Sequence, residues 1–144
     1  MARPMSEAEL RAFLQQGTRT GKLATTRADG RPHVAPIWFV VDESDGSLVF
    51  NTGADLVKGR TIARDPRIAL CIDDDRPPYA FVIVEGVAEV SDDAEASLPW
   101  ATRIAARYMG EDRAEEYGRR NSVPGELLVR LRPARVTALL GISD

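Results

Sequence analysis

The chain has 144 residues, a formal net charge of −3 and a pI near 5.3. That length suits one domain, and 44% hydrophobic with 28% charged residues is too apolar for a disordered chain. The mild acidity argues against a nucleic-acid reader, and no run reaches the ~18 apolar residues of a membrane span. The start lacks the apolar core of a secretion signal, so the expected location is cytoplasmic. One cysteine, Cys71, excludes an internal disulfide, and one histidine, His33, leaves little for a histidine-rich metal site or a Ser–His triad. Any chemistry is expected to belong to something the protein binds.

Residues 6–16 predict a short amphipathic helix: Ser6 and Glu9 form a capping box, Leu10, Phe13 and Leu14 share a face, and Gly17 stops it. Strand signals follow. A short strand over 22–27 leads into Asp29-Gly30, a hairpin turn. A strand over 33–41, a turn over 42–46 and a strand over 47–51 complete an antiparallel meander. The middle strand is apolar on both phases, with Ala35, Ile37, Phe39 and Val41 on one face and Val34, Trp38 and Val40 on the other. A strand half in water alternates, so this one predicts burial twice: one face in a barrel, the other on a helix, a ligand or another subunit. Pro36 cannot donate to a ladder and marks a bulge or an edge.

Residues 54–64 predict a second helix, capped by Asp55 and ended by Asp65-Pro66. A strand over 67–73, a stiff polar loop over 73–78 and a long strand over 79–90 come next, with Gly86 marking a kink or barrel corner. Residues 92–108 predict a helix in which Pro99 opens a fresh turn; Trp100, Ile104 and Tyr108 share one face as packing residues, Arg103 and Arg107 another. Gly110 separates it from a short polar helix over 111–118. The last strand, 126–139, shifts its apolar phase by one residue at Pro133, as a bulge does. Strands without βαβ alternation predict a mainly β, antiparallel barrel with peripheral helices, as a single domain over residues 1–144.

The stretch from Asn51 to Thr61 combines features that suit a phosphate. A strand ends in Asn51 and Thr52, Gly53 turns the chain, and a helix begins with Lys58 in or near its first turn and Arg60 and Thr61 after it. Free N–H groups and a positive dipole end at a helix start favour an anion. The stretch lacks the spacing of a Walker loop, and a capped surface helix bearing one lysine is an alternative reading of the same residues.

The ordered set Gly21-Lys22-Leu23-Ala24-Thr25-Thr26, Asp29-Gly30-Arg31-Pro32-His33 and Pro36-Ile37-Trp38-Phe39 resembles the opening meander of the pyridoxamine 5′-phosphate oxidase-like superfamily. Phe50-Asn51-Thr52, Lys58-Gly59-Arg60, Arg64-Asp65-Pro66-Arg67 and Val84-Glu85-Gly86-Val87 continue the resemblance in order and spacing. Pro77-Pro78-Tyr79-Ala80-Phe81 and Arg107-Tyr108-Met109-Gly110 are similar to segments of its actinobacterial F420-dependent oxidoreductases, class B.

The resemblance implies a split β-barrel homodimer with cofactor sites at the subunit interface. It also implies the cofactor, the deazaflavin F420, or FMN in sibling groups. Carried over by position, Lys58 binds the cofactor phosphate with Arg60 and Thr61 beside it. Asn51 and Thr52 lie under the ribityl chain, and Pro36, Ile37 and Trp38 line the ring, with plain core packing as the other reading of Trp38. Pro78, Tyr79, Ala80 and Phe81 reach across from the other subunit. Arg31 and Arg107 are either partners of an anionic tail or solvated, and His33 is either a ring neighbour or structural. The implied activity is reduction of a conjugated small molecule such as an enone, quinone or tetrapyrrole by hydride from the reduced deazaflavin. The alternatives are an FMN-dependent oxidase or flavin reductase of the same fold, and a non-enzymatic flavin or haem binder. No metal, nucleic acid or membrane is implied.

Overall fold

Eight strands and four helices form along the chain, here described over residues 1–144 of a computed structural model. They are β1 (Arg3–Pro4), α1 (Glu7–Gln15), β2 (Gly21–Thr26), β3 (Pro32–Ile37), β4 (Val40–Asp42) and β5 (Ser47–Gly53). Then come α2 (Val57–Arg64), β6 (Arg67–Asp74), β7 (Ala80–Ser91), α3 (Ala94–Met109), α4 (Glu111–Arg120) and β8 (Glu126–Leu140). No helix is long and apolar enough to cross a membrane. The strands pair antiparallel in the order β3-β2-β6-β7-β8-β5-β4, with β1 added along β8. The two edge strands, β3 and β4, are consecutive in sequence. The sheet therefore curls until the chain can step from one edge to the other, the geometry of a split barrel.

That step corrects the expectation of one strand over residues 33–41. The ladder stops at Ile37, which faces Gly21, and resumes at Val40, which faces Val49. Trp38 and Phe39 lie between, and Phe39 satisfies its backbone elsewhere: its N–H donates to the Tyr108 hydroxyl and its carbonyl accepts from Arg107. The double apolarity has two causes. Ile37, Phe39 and Val41 fill the barrel with Leu23, Phe50, Leu70 and Val84, while Val40 turns outward onto Val49, Ile104 and Leu128 beneath α3. Pro36 is tolerated because β3 is an edge strand.

Three further expectations hold and two fail. The Ser6–Glu9 capping box forms reciprocally at the start of α1. Register slips between Glu85 and Gly86, where β8 carries Ala134 as an extra residue after Pro133. Gly86 is required there, because a Cβ on it would lie 2.3 Å from the Arg132 carbonyl. Asp55, however, does not cap α2. The helix starts one residue later than such a cap implies, after Leu56, whose N–H closes a turn onto the Gly53 carbonyl. Pro99 does not open a turn either: α3 runs through it from an N-cap at Asp93, which accepts from the amides of Glu95 and Ala96.

Alternation leaves one outer sheet face bare. Val34 on β3 is 63% exposed. Beside it across the ladders lie Ala24 on β2, Ala69 and Cys71 on β6, and Ile83 on β7, all half-buried. None of the four helices covers this face.

Candidate functional site

A cavity of about 380 Å³ opens where the end of β5, the first turn of α2 and the end of β3 converge under α3 and α4. Its floor is set by the strand-to-helix turn. β5 delivers Asn51 and Thr52, Gly53 turns the chain, and α2 brings Lys58 back over that turn. Gly59 allows the close approach: a Cβ there would stand 2.3 Å from the Gly53 carbonyl. Lys58, in the first helical turn, joins the dipole's positive end to a side-chain cation.

The polar groups here are left without protein partners. Lys22, the other lysine, is paired with Asp73 at 3.0 Å, whereas Lys58 has no carboxylate within ion-pair distance and no hydrogen bond. The Thr52 hydroxyl is buried and unbonded. A buried hydroxyl without a partner costs about 1–3 kcal/mol, and Thr52 shares the lining of this cavity with the free Lys58 ammonium. Asn51 differs: its amide donates to the Asn121 carbonyl at 3.0 Å and ties β5 to the end of α4.

The opposite wall carries Pro36, Ile37 and Trp38. Ile37 is mostly in the barrel core, but Trp38 is 43% exposed and held flat. Its ring stacks on Tyr108 with centroids 5.0 Å apart and planes 2° from parallel. Tyr108 is itself pinned, its hydroxyl donating to the Arg19 carbonyl at 2.8 Å while accepting from the Phe39 N–H. Burial raises the Tyr108 hydroxyl above its ordinary pKa, which keeps it a neutral donor. Arg107, one residue earlier, donates to the carbonyls of Phe39, Leu14 and Gly17 at 2.8, 2.8 and 3.0 Å. The last turn of α3 thus clamps the edge-to-edge crossing and fixes the tryptophan wall.

The cavity therefore unites Pro36, Ile37, Trp38, Asn51, Thr52 and Lys58. Arg60 and Thr61 do not line it. The Arg60 guanidinium donates twice to the Asp55 carbonyl, and the Thr61 hydroxyl donates to the Val57 carbonyl. Both border a separate depression with Arg27, Arg31 and Arg64. Helical geometry explains Arg60, which at about 100° per residue points roughly 200° away from Lys58; Thr61, three residues on, lies on the adjoining face, and its hydroxyl is taken by the Val57 carbonyl. Pro78, Tyr79, Ala80 and Phe81 lie at the β6–β7 junction, and none lines the cavity within one chain. Three of the five Arg107 N–H donors are engaged by the carbonyls of Phe39, Leu14 and Gly17, and Arg107 does not line the cavity. Arg31 pairs with Asp29 at 2.7 Å. His33 faces Thr25 across β2–β3, and its Nδ1 is buried without a partner.

Sequence reasoning missed the polar lining residues Thr20, Tyr117, Asn121 and Glu126. Glu126 reaches the site only because β8 pairs with β5, which sets it opposite Gly53. No local pattern signals that pairing. Burial raises the Glu126 carboxyl above its ordinary pKa, with no neighbouring cation offsetting the effect.

Comparison with known proteins agrees with this architecture. A conserved hypothetical protein of Mycobacterium tuberculosis superposes with a TM-score of 0.81 at 32% identity, covering 93% of this chain and 84% of that one. A structure described as an F420 reductase gives a TM-score of 0.68 at 25% identity over 88% of this chain and 94% of that one. In sequence, the 5a,11a-dehydrotetracycline/5a,11a-dehydrooxytetracycline reductase of Streptomyces rimosus is 32% identical over 93 residues, which is 60% of this chain and 63% of that protein. The chain thus matches less than two thirds of that reductase's length. A match to the family described as pyridoxamine 5′-phosphate oxidase runs from residue 6 to residue 140, nearly the whole barrel, and the chain belongs to that family.

Proposed function

We propose that the protein is an F420-dependent reductase that acts on a conjugated small molecule. The observation that carries this reading is the free Lys58 ammonium and the partnerless Thr52 hydroxyl in one cavity whose far wall is an exposed, rigidly held Trp38. A phosphate on a short polyol arm of a flat ring meets those three features in order. The likeness to an F420 reductase and to a dehydrotetracycline reductase supports the deazaflavin and a reductive direction.

Bound deazaflavin supplies hydride chemistry from C5 of its ring. The chain's own residues bind and orient. Lys58 and the amides of the first turn of α2 hold the phosphate, Thr52 donates to or accepts from the ribityl arm, and Trp38 with Pro36 sets the plane of the ring. Proton delivery falls to solvent or to Tyr79. Holding a reactant in place is the protein's main contribution in such a scheme.

The bare face around Val34, Ala24, Cys71 and Ile83 supports a homodimer, because apolar side chains gathered on one outer sheet face mark an association surface. In that assembly Pro78, Tyr79, Ala80 and Phe81 of the second subunit complete the site. Titration with F420 and with FMN, followed by absorption and fluorescence, tests the cofactor. Saturable binding of F420 supports the reading, and tight FMN binding with none for F420 replaces it with the FMN-dependent alternative. Sedimentation tests the dimer: a species of 15.8 kDa at micromolar concentration rejects a shared site.

A further inference from the structure

The cavity that holds Lys58 also holds one carboxylate, and the phosphate reading gives that carboxylate nothing to do. Lys58 and Glu126 are its only charged lining residues. They flank the Gly53 turn from opposite sides: Glu126 faces Gly53 across the β5–β8 ladder, and a Cβ on Gly53 would lie 4.0 Å from its Oε1. They are not paired with each other or with anything else. Arg60, the nearest other cation in sequence, is turned away and held by the Asp55 carbonyl. The lining is thus neutral overall, one cation against one anion, where a phosphate site normally gathers a surplus of cations.

We infer that Glu126 is a specificity-determining residue that selects a singly charged phosphodiester over a doubly charged phosphomonoester at the Lys58 site. This rests on the proposed reading of the cavity as a flavin-type phosphate site. A phosphodiester, as in the ribityl-phosphate-lactyl arm of F420, carries one negative charge. A phosphomonoester, as in FMN, has a second ionisation near pH 6 and carries close to two at neutral pH. Lys58 attracts both and Glu126 repels both, each in proportion to the ligand's charge. A lone cation neutralises the diester, whereas the monoester brings an uncompensated charge toward a half-buried carboxylate. Discrimination of this kind needs a repulsive element as well as an attractive one, and Glu126 supplies it at the cost of some affinity for either ligand. The half-buried setting of Glu126 makes the repulsion stronger than it is in open solvent.

The test measures dissociation constants of F420 and FMN for the wild-type protein, Glu126→Gln and Glu126→Asp at about pH 8, where both the carboxyl and the monoester are ionised. Wild-type protein is expected to prefer F420. Glu126→Gln is expected to narrow that preference by about three- to tenfold, chiefly by tightening FMN, while Glu126→Asp retains it. An unchanged or widened preference in Glu126→Gln overturns the inference, as does a Glu126→Asp variant that behaves like Glu126→Gln, since charge is then not the cause. A wild-type preference for FMN overturns it too. Binding of neither ligand to the wild-type protein overturns the cofactor reading itself, and the inference falls with it.

Discussion

The two walls of the cavity are built on opposite terms. On the Tyr108 side the polar groups are engaged within the chain: Arg107 meets three carbonyls, and the Tyr108 hydroxyl donates to one backbone group and accepts from another. On the Lys58 side the ammonium, the Thr52 hydroxyl and the Glu126 carboxylate have no partner in the chain. The first wall is a buttress, and its hydrogen bonds stabilise the fold. The second is prepared for a ligand, and its unmade bonds weaken the free protein until one arrives. Stability and binding should therefore respond to opposite sides of one small cavity.

The largest expected effect is on the buttress. Arg107→Ala strips three carbonyls of their donor and removes a guanidinium stacked 4.8 Å over the Phe39 ring. It should lower unfolding free energy by about 3 kcal/mol in chemical denaturation. If stability is unchanged, the clamp is not what holds the crossing. On the other wall, Lys58→Ala should leave the melting temperature where it is and weaken F420 binding by about 1.5–3 kcal/mol, on the order of ten- to a hundredfold. Unaltered affinity removes Lys58 from the site.

Two smaller substitutions sharpen the contrast. Tyr108→Phe keeps the stack on Trp38 but loses both hydroxyl bonds, and should cost about 1 kcal/mol. Thr52→Val should do the reverse, leaving the free protein equal or slightly more stable because an unbonded hydroxyl is gone, while weakening the cofactor by about fivefold. Equal losses in both measurements would mean that the hydroxyl is already satisfied in the free protein.

One further effect concerns neither wall. Asp42, on the strand next to β5, is held at about 2 against an ordinary 3.8, first by the Ser44 hydroxyl, then by the Ser44 amide and Arg130. A depressed carboxylate pKa contributes stability above its unfolded value and loses it as pH falls through the folded one. Stability should therefore drop between roughly pH 4 and pH 2, and Asp42→Asn should flatten that part of the curve. An identical acid limb in the variant would assign it to other carboxylates.

Much of this was legible in the residues. Periodicity located every helix and the longer strands, with β3 and β4 merged into one, and Gly86 and Pro133 marked the slip in the β7–β8 ladder from its two sides. Asn51, Thr52 and Lys58 were found because their order along the chain, strand end to turn to helix start, is itself the local geometry of an anion site. Misreadings arose where a local signal met a nonlocal demand. Residues 33–41 look like one strand because both of their apolar phases are buried, but each is buried by different partners after the chain changes edges. Arg107 reads as either a tail partner or solvated because no pattern shows that carbonyls from the end of α1, the loop after it and the edge-to-edge crossing will accept from it.

What the sequence determined by itself is whatever depends on neighbours along the chain: the capping box at Ser6, the alternation of the strands, and the proximity of Thr52 to Lys58. Only the tertiary structure decided which side of α2 faces the cavity, and so why Lys58 belongs to it while Arg60 and Thr61 do not. It also brought Glu126 across the β5–β8 ladder to a site 73 residues from its partner Gly53. Strand pairing joins segments with no constraint on their separation in the chain, and a helix turns each successive residue by about 100°. Register and rotation, neither of them written in residue order alone, assembled the charge balance of the site.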